Sequence, residues 1–109
     1  TEPCFRDLVL ARNAPGALGG AFTEFVRVHE APTPKRILRR HMGPLRFAAP
    51  VGVQLMGSDL GKLARTAANA VECGAPLVDL NFGCPAKGAI AGCAGSALLR
   101  DPAAVERVV

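Results

Sequence analysis

Apolar and polar positions along this chain change period several times, and each change marks an element. Phe5, Leu8 and Val9 recur at helical spacing, and Pro3 suits an early helical position, so a helix opens at Thr1 and runs to about Ala11. Residues 13–20 are rich in turn formers. Residues 21–28, with Phe22, Phe25, Val26 and Val28, read as a strand that 30–34 break. A short basic helix is predicted over 35–42 and a second strand over 51–56. The clearest helix follows, capped by Ser58 and stopped by Gly74. Its predicted buried stripe is Leu60, Leu63, Ala64, Ala67 and Val71. Residues 77–81 make a third strand. A glycine-rich loop comes next, and Asp101-Pro102 starts a last helix. Strand, helix, strand with short links is a crossover unit, so the fold class is α/β with parallel pairing and right-handed connections.

Composition narrows the class. Half of the 109 residues are hydrophobic, enough for one modest core without staples. No apolar run approaches the roughly 18 residues of a spanning helix, and Glu2, Arg6, Asp7 and Arg12 do not fit a signal peptide. Cys4, Cys73, Cys84 and Cys93 form no CxxC pair, so a reduced, cytoplasmic setting is expected. A zinc site from Cys73, Cys84 and Cys93 fails on spacing, and His29 and His41 lie far upstream; no metal is expected. The net charge of +4 is uneven: residues 1–50 hold eight Lys or Arg against four Asp or Glu, and residues 51–109 hold five of each. Lys35, Arg36, Arg39, Arg40 and Arg46 fall within 31–50 with no acid among them. Such a patch suits phosphates. An ordinary solvated helix face is the plainer reading, and no Trp or Tyr is present to stack on bases.

Candidate chemistry gathers around residues 79–87, reading DLNFGCPAK. Cys84 stands just past an apolar run over 76–82, where α/β proteins usually place reactive groups. Gly83 allows a sharp exit and Pro85 holds Cys84 toward extended backbone, so the thiol sits on a stiff corner. A buried cysteine acting as a small hydrophobe is the competing reading. Gln54 lies between Val53 and Leu55 in an apolar strand, and its amide needs a partner: a ligand, or a side chain on a neighbouring strand. Asp79 and Asn81 alternate and point to one side; Asn81 could equally bond the loop that follows.

The segment DLNFGCPAKGAIAGCAGSALLRDP resembles the active-site segment of the tRNA-dihydrouridine synthases, flavin enzymes that reduce uridine in transfer RNA. In the matching order, TEPCFRDLV resembles the family's first helix, AFTEFVRV its second strand and following loop, and VGVQLMGSD its third strand. The resemblance implies that the chain is the N-terminal portion of a TIM (β/α)8 barrel, all 109 residues belonging to that catalytic domain. A complete barrel takes roughly 200–250 residues, so this reads as a piece of a larger protein that alone would neither hold FMN tightly nor turn over. It implies FMN-dependent reduction of uridine to 5,6-dihydrouridine in the D-loop, with NADPH as reductant and tRNA as partner. TEFVRV is closest to the subgroup acting on position 16. By the same resemblance Cys84 protonates C5 while reduced FMN delivers hydride to C6, Gln54 contacts the flavin, and Arg27 and Asn81 contact the tRNA, Asn81 beside the uracil. Lys87 resembles the family lysine of this loop, though by itself it reads as a surface lysine. The loop over 88–93, GAIAGC, departs from the pattern: polar and basic residues found in many relatives are missing, and Cys93 stands where many have glycine. Two other readings remain. One is a flavin-dependent barrel reductase of a small molecule, of the dihydroorotate or dihydropyrimidine dehydrogenase type. The other is a non-catalytic RNA-binding relative. Arg27 and the basic run favour RNA; Cys84, Asn81 and Gln54 together argue against a decayed site.

Overall fold

The computed structural model describes residues 2–109. Helix α1 spans Pro3–Arg12, followed by strand segments β1 (Ala21–Phe22) and β2 (Val26–Arg27), helix α2 (Lys35–Met42), strand β3 (Val51–Met56), helix α3 (Leu60–Glu72) and strand β4 (Val78–Leu80). Beyond β4 come a one-turn helix α4 (Lys87–Ala91), a 3-10 helix (Gly95–Arg100) and helix α5 (Pro102–Val108). The run read as a glycine-rich loop is therefore largely helical.

All pairings are parallel, as the crossover pattern requires, and β3 is central. On one edge β4 sets Val78 opposite Val53 and Leu80 opposite Leu55. The other edge takes both β1 and β2: the carbonyls of Pro50, Gly52 and Met56 accept from Ala21, Thr23 and Val28, while Leu55 accepts from Asn81 on the β4 side. Between Phe22, opposite Gly52, and Val26, opposite Leu55, one strand takes four steps against three, an excess of one residue. The predicted strand over 21–28 is thus two segments parted by a bulge. At the bulge the Thr23 hydroxyl, 3.2 Å away, accepts the Gln54 N–H in place of a backbone carbonyl.

The core lies between this sheet and the α2–α3 pair, with Leu38, Val53 and Leu55 fully enclosed and Val26, Val28, Met42, Leu63 and Ala70 around them. Buried on both faces, β3 reads as a nearly unbroken apolar strand, and Gln54 is its one incompletely buried residue.

Three further expectations change. The cap of α3 is Asp59, whose carboxylate accepts the Lys62 N–H at 3.0 Å; Ser58 instead donates to the Gly92 carbonyl. Gly74 does end α3, at φ 91°, a conformation that costs glycine least. The buried face of α3 is Leu63, Thr66, Asn69 and Ala70, while Leu60 and Val71 are exposed. The reason is a polar clasp: Thr66 Oγ1 accepts the Thr33 N–H at 3.0 Å and Asn69 Nδ2 donates to the Thr33 carbonyl at 2.9 Å. These bonds satisfy both backbone groups of the turn before α2 and bring two polar residues inward. In α1 the predicted face is likewise outward: Phe5, Leu8 and Val9 are exposed, and Arg6 is the buried residue. Its guanidinium donates to the Met42 carbonyl at 2.6 Å, closing the negative end of α2.

Candidate active site at the end of the parallel strands

Cys84 emerges past the carboxyl end of β4, and side-chain hydrogen bonds fix its backbone. Asn81 Oδ1 accepts the N–H groups of Gly83 at 3.1 Å and Cys84 at 2.9 Å, an asparagine turn that makes the sharp exit. The Cys84 carbonyl accepts from both the N–H and the hydroxyl of Ser96, at 3.1 and 3.0 Å. Gly95, at φ 60°, lets that segment approach: a Cβ there would stand 2.7 Å from the Cys84 oxygen. The thiol side is half-buried against Met56, Ala89 and Ala94.

Behind the turn runs a chain of amides. Asn81 Nδ2 donates to Gln54 Oε1 at 3.0 Å, and Gln54 Nε2 donates to Asp79 Oδ2 at 2.6 Å. The alternation of Asp79 and Asn81 along one side of the strand is what brings both to the same glutamine. Register does the rest: Gln54 pairs with Asp79 across β3 and β4. Gln54 and Asn81 thus each make the local bonds that were the plainer of their two readings. Each keeps capacity in reserve, since a carboxamide offers two donors and two lone pairs.

Arg27 ends β2 and reaches across to this loop, its Nη2 donating to the Gly88 carbonyl at 2.8 Å. Lys87 is the exposed first residue of α4. Ser58 adds a further tie, donating to the Gly92 carbonyl at 2.8 Å. The structure therefore gathers Arg27, Gln54, Asn81 and Cys84 around the carboxyl ends of neighbouring strands. Sequence reasoning missed Thr23 and Ser96 and gave Ser58 a different role, as a helix cap; all three shape the strand and loop. Thr23 left a signal, a polar residue amid the apolar positions of 21–28; the two serines left none.

The basic run behaves differently from the site. Helix α2 leads from the carboxyl end of β2 back to the start of β3, so Arg39 and Arg40 in its last turn lie toward the amino ends of the strands, away from Cys84 at the carboxyl ends. Cations there complement the helix C-terminus. Lys35 pairs with Glu72, and Arg46 pairs with Asp7 at 3.1 Å. Among the described residues no group of three His, Cys, Asp or Glu is placed to hold a metal ion, and no helix is long and apolar enough to cross a membrane.

A parallel α/β sheet with a thiol and a pair of carboxamides gathered at its strand ends has the layout in which α/β proteins commonly place ligand sites. The dihydrouridine synthase family model matches residues 1–109, and the chain belongs to that family. It is similar to the tRNA-dihydrouridine(16) synthase of Pseudomonas putida, 40% identical over an alignment of 100 residues that covers 86% of this chain and 31% of that protein. The enzyme of the same name from Vibrio vulnificus is 41% identical over 93 residues, 80% of this chain and 29% of the relative. That from Azotobacter vinelandii is 45% identical over 78 residues, 66% and 25% of the two chains. The chain spans about a third of the length of the curated relatives it matches.

Proposed function

We propose that the protein reduces uridine to 5,6-dihydrouridine in the D-loop of tRNA, at position 16, with Cys84 as the proton donor to C5. The supporting observation is the placement of Cys84: Asn81 and Ser96 hold its backbone from both sides, just past a strand whose neighbour carries Gln54. The thiol is thereby aimed from rigid elements rather than from a free loop. Membership of the dihydrouridine synthase family, with relatives named for tRNA position 16, favours this reading over a small-molecule reductase. The arrangement of parallel crossover units is compatible with the first part of an eight-unit barrel, and we assign it there.

The strand ends suit FMN. Gln54 has one amide hydrogen and one carbonyl lone pair beyond its bonds to Asp79 and Asn81, matching a flavin edge that both donates and accepts. When bound and reduced by NADPH, FMN supplies the hydride that the uracil 5,6 double bond requires. The chain's own residues do the rest. Asn81 and Ser96 orient the thiol; its S–H holds the proton that C5 takes as hydride reaches C6, and the thiolate left behind regains a proton from solvent. Asn81, with one amide N–H left unused at the strand end, faces the uracil. Arg27, exposed at the rim and bonded to the Gly88 carbonyl of this loop, is a cation placed to meet a phosphate of the tRNA.

The test is Cys84→Ala in the intact, flavin-loaded protein. Flavin binding and its reduction by NADPH are expected to stay unchanged. Reoxidation of the pre-reduced flavin by tRNA should slow by about 10²–10⁴-fold, the range for losing a general acid. Reoxidation at the normal rate would remove Cys84 from the chemistry and leave it as a strand-end packing residue.

A further inference from the structure

We infer that Asp79 is a positioning residue that holds the amides leading to Cys84 in one direction; this rests on reading Cys84 as the proton donor. A carboxylate oxygen only accepts hydrogen bonds, so Asp79 Oδ2, 2.6 Å from the Gln54 amide, admits only its NH2 group. Gln54 must then turn Oε1 the other way, toward Asn81, which can only meet it with Nδ2. That leaves Asn81 Oδ1 facing the loop, where two N–H groups need an acceptor. An acceptor-only carboxylate at one end and two donor-only N–H groups at the other thus agree on a single sense, and Asp79 opposes the half-turn flip of Gln54 that would break it. With Asn81 reversed, its NH2 would confront the N–H groups of Gly83 and Cys84, and the turn carrying the thiol would open. The same constraint decides what Gln54 offers a ligand: its remaining N–H on the Asp79 side and its remaining lone pair on the Asn81 side.

Asp79→Asn keeps the size of the side chain and removes the direction, because an amide can meet Gln54 with either end. The readout is hydrogen exchange of the Cys84 backbone amide in the intact protein, measured by NMR without tRNA. Exchange is expected to quicken by roughly 2- to 10-fold, the equivalent of weakening one net hydrogen bond. Asp79→Asn combined with Gln54→Glu restores the sense of the chain: the amide at 79 donates to the new carboxylate, and that carboxylate accepts from Asn81. Exchange in the double variant should return toward the parent rate, which a simple loss of packing or charge would not do. If the single variant does not fold, recovery of the fold in the double variant supports the proposal, and failure of both overturns it. Unchanged exchange in the single variant, or a double variant no slower than the single, also overturns it. Because no turnover is measured, a protein that proved unable to reduce uridine would sink the proposed function and leave this result standing.

Discussion

Two polar networks hold this chain together, and they differ in what they leave open. The clasp of Thr33, Thr66 and Asn69 lies beneath the α2–α3 pair with all three residues buried, Thr66 at 0% exposure. Its side chains close on the N–H and carbonyl of one residue, and the Thr66 hydroxyl also donates to the Lys62 carbonyl at 2.8 Å. The network of Asp79, Gln54 and Asn81 is half-buried at the strand ends, and its amides retain unused donors and acceptors. Burial makes an unsatisfied group costly, so the first network is worth most to stability. Partial exposure lets the second exchange water for a ligand at small cost, so its worth lies in recognition. Polar side chains inside an α/β layer do not all signal function; the closed set serves structure, and the open set is the one we propose as the site.

Asn69→Ala probes the closed network and carries the largest expected effect below the Cys84 test. It strands the buried Thr33 carbonyl, and urea unfolding should show a loss of about 1–3 kcal/mol with flavin affinity unchanged. A loss confined to flavin affinity would break the comparison. For the open network, Gln54→Ala should weaken FMN retention by about tenfold, as expected for one lost hydrogen bond to a ligand, in a fluorescence titration of the intact protein. Stability should change less than for Asn69→Ala, because Asp79 and Asn81 can turn to water.

A smaller effect tests the loop that carries the thiol. Cys93 has φ 52°, the left-handed region where a side chain is strained and glycine is not. Cys93→Gly should raise the unfolding free energy by up to about 1 kcal/mol, the strain relieved being partly offset by unfolded-chain entropy. The alkylation rate of Cys84 should stay the same; a faster rate would mean that Cys93 helps to shape the site.

Acid gives the smallest effect, on the helix side. The Lys62 N–H, then its side chain, hold Asp59 below the ordinary carboxylate range, and the Lys35 ammonium does the same for Glu72. Both carboxylates therefore bind protons more weakly folded than unfolded. Their contribution is full above the ordinary carboxylate range of about 4 and fades as pH falls through their lowered values. Both groups are exposed, so the slope should be shallow. A thermal melt series in Asp59→Asn should lack part of it, while a steeper slope in that variant would contradict the cap.

The sequence by itself determined most of the elements and the parallel class, because apolar period and punctuation report local backbone geometry; the break in the first strand and the short helices after β4 escaped it. Gly74 ended α3 and Asp101 began α5, its carboxylate accepting the Ala104 N–H at 3.2 Å, as their side chains dictate. It also marked Gln54, Asn81 and Cys84, since a polar group in an apolar strand and a cysteine at its end are visible without partners. It misjudged the faces of α1 and α3. Which side of a helix turns inward depends on what that side meets, and Arg6 and Thr66 meet backbone groups 36 and 33 residues distant. Only the tertiary structure decided the bulge at Thr23, the reach of Arg27 to a carbonyl 61 residues away, and the direction of the amides behind Cys84. A hydrogen bond needs a donor and an acceptor brought together in space, and a linear pattern records neither the meeting nor its direction.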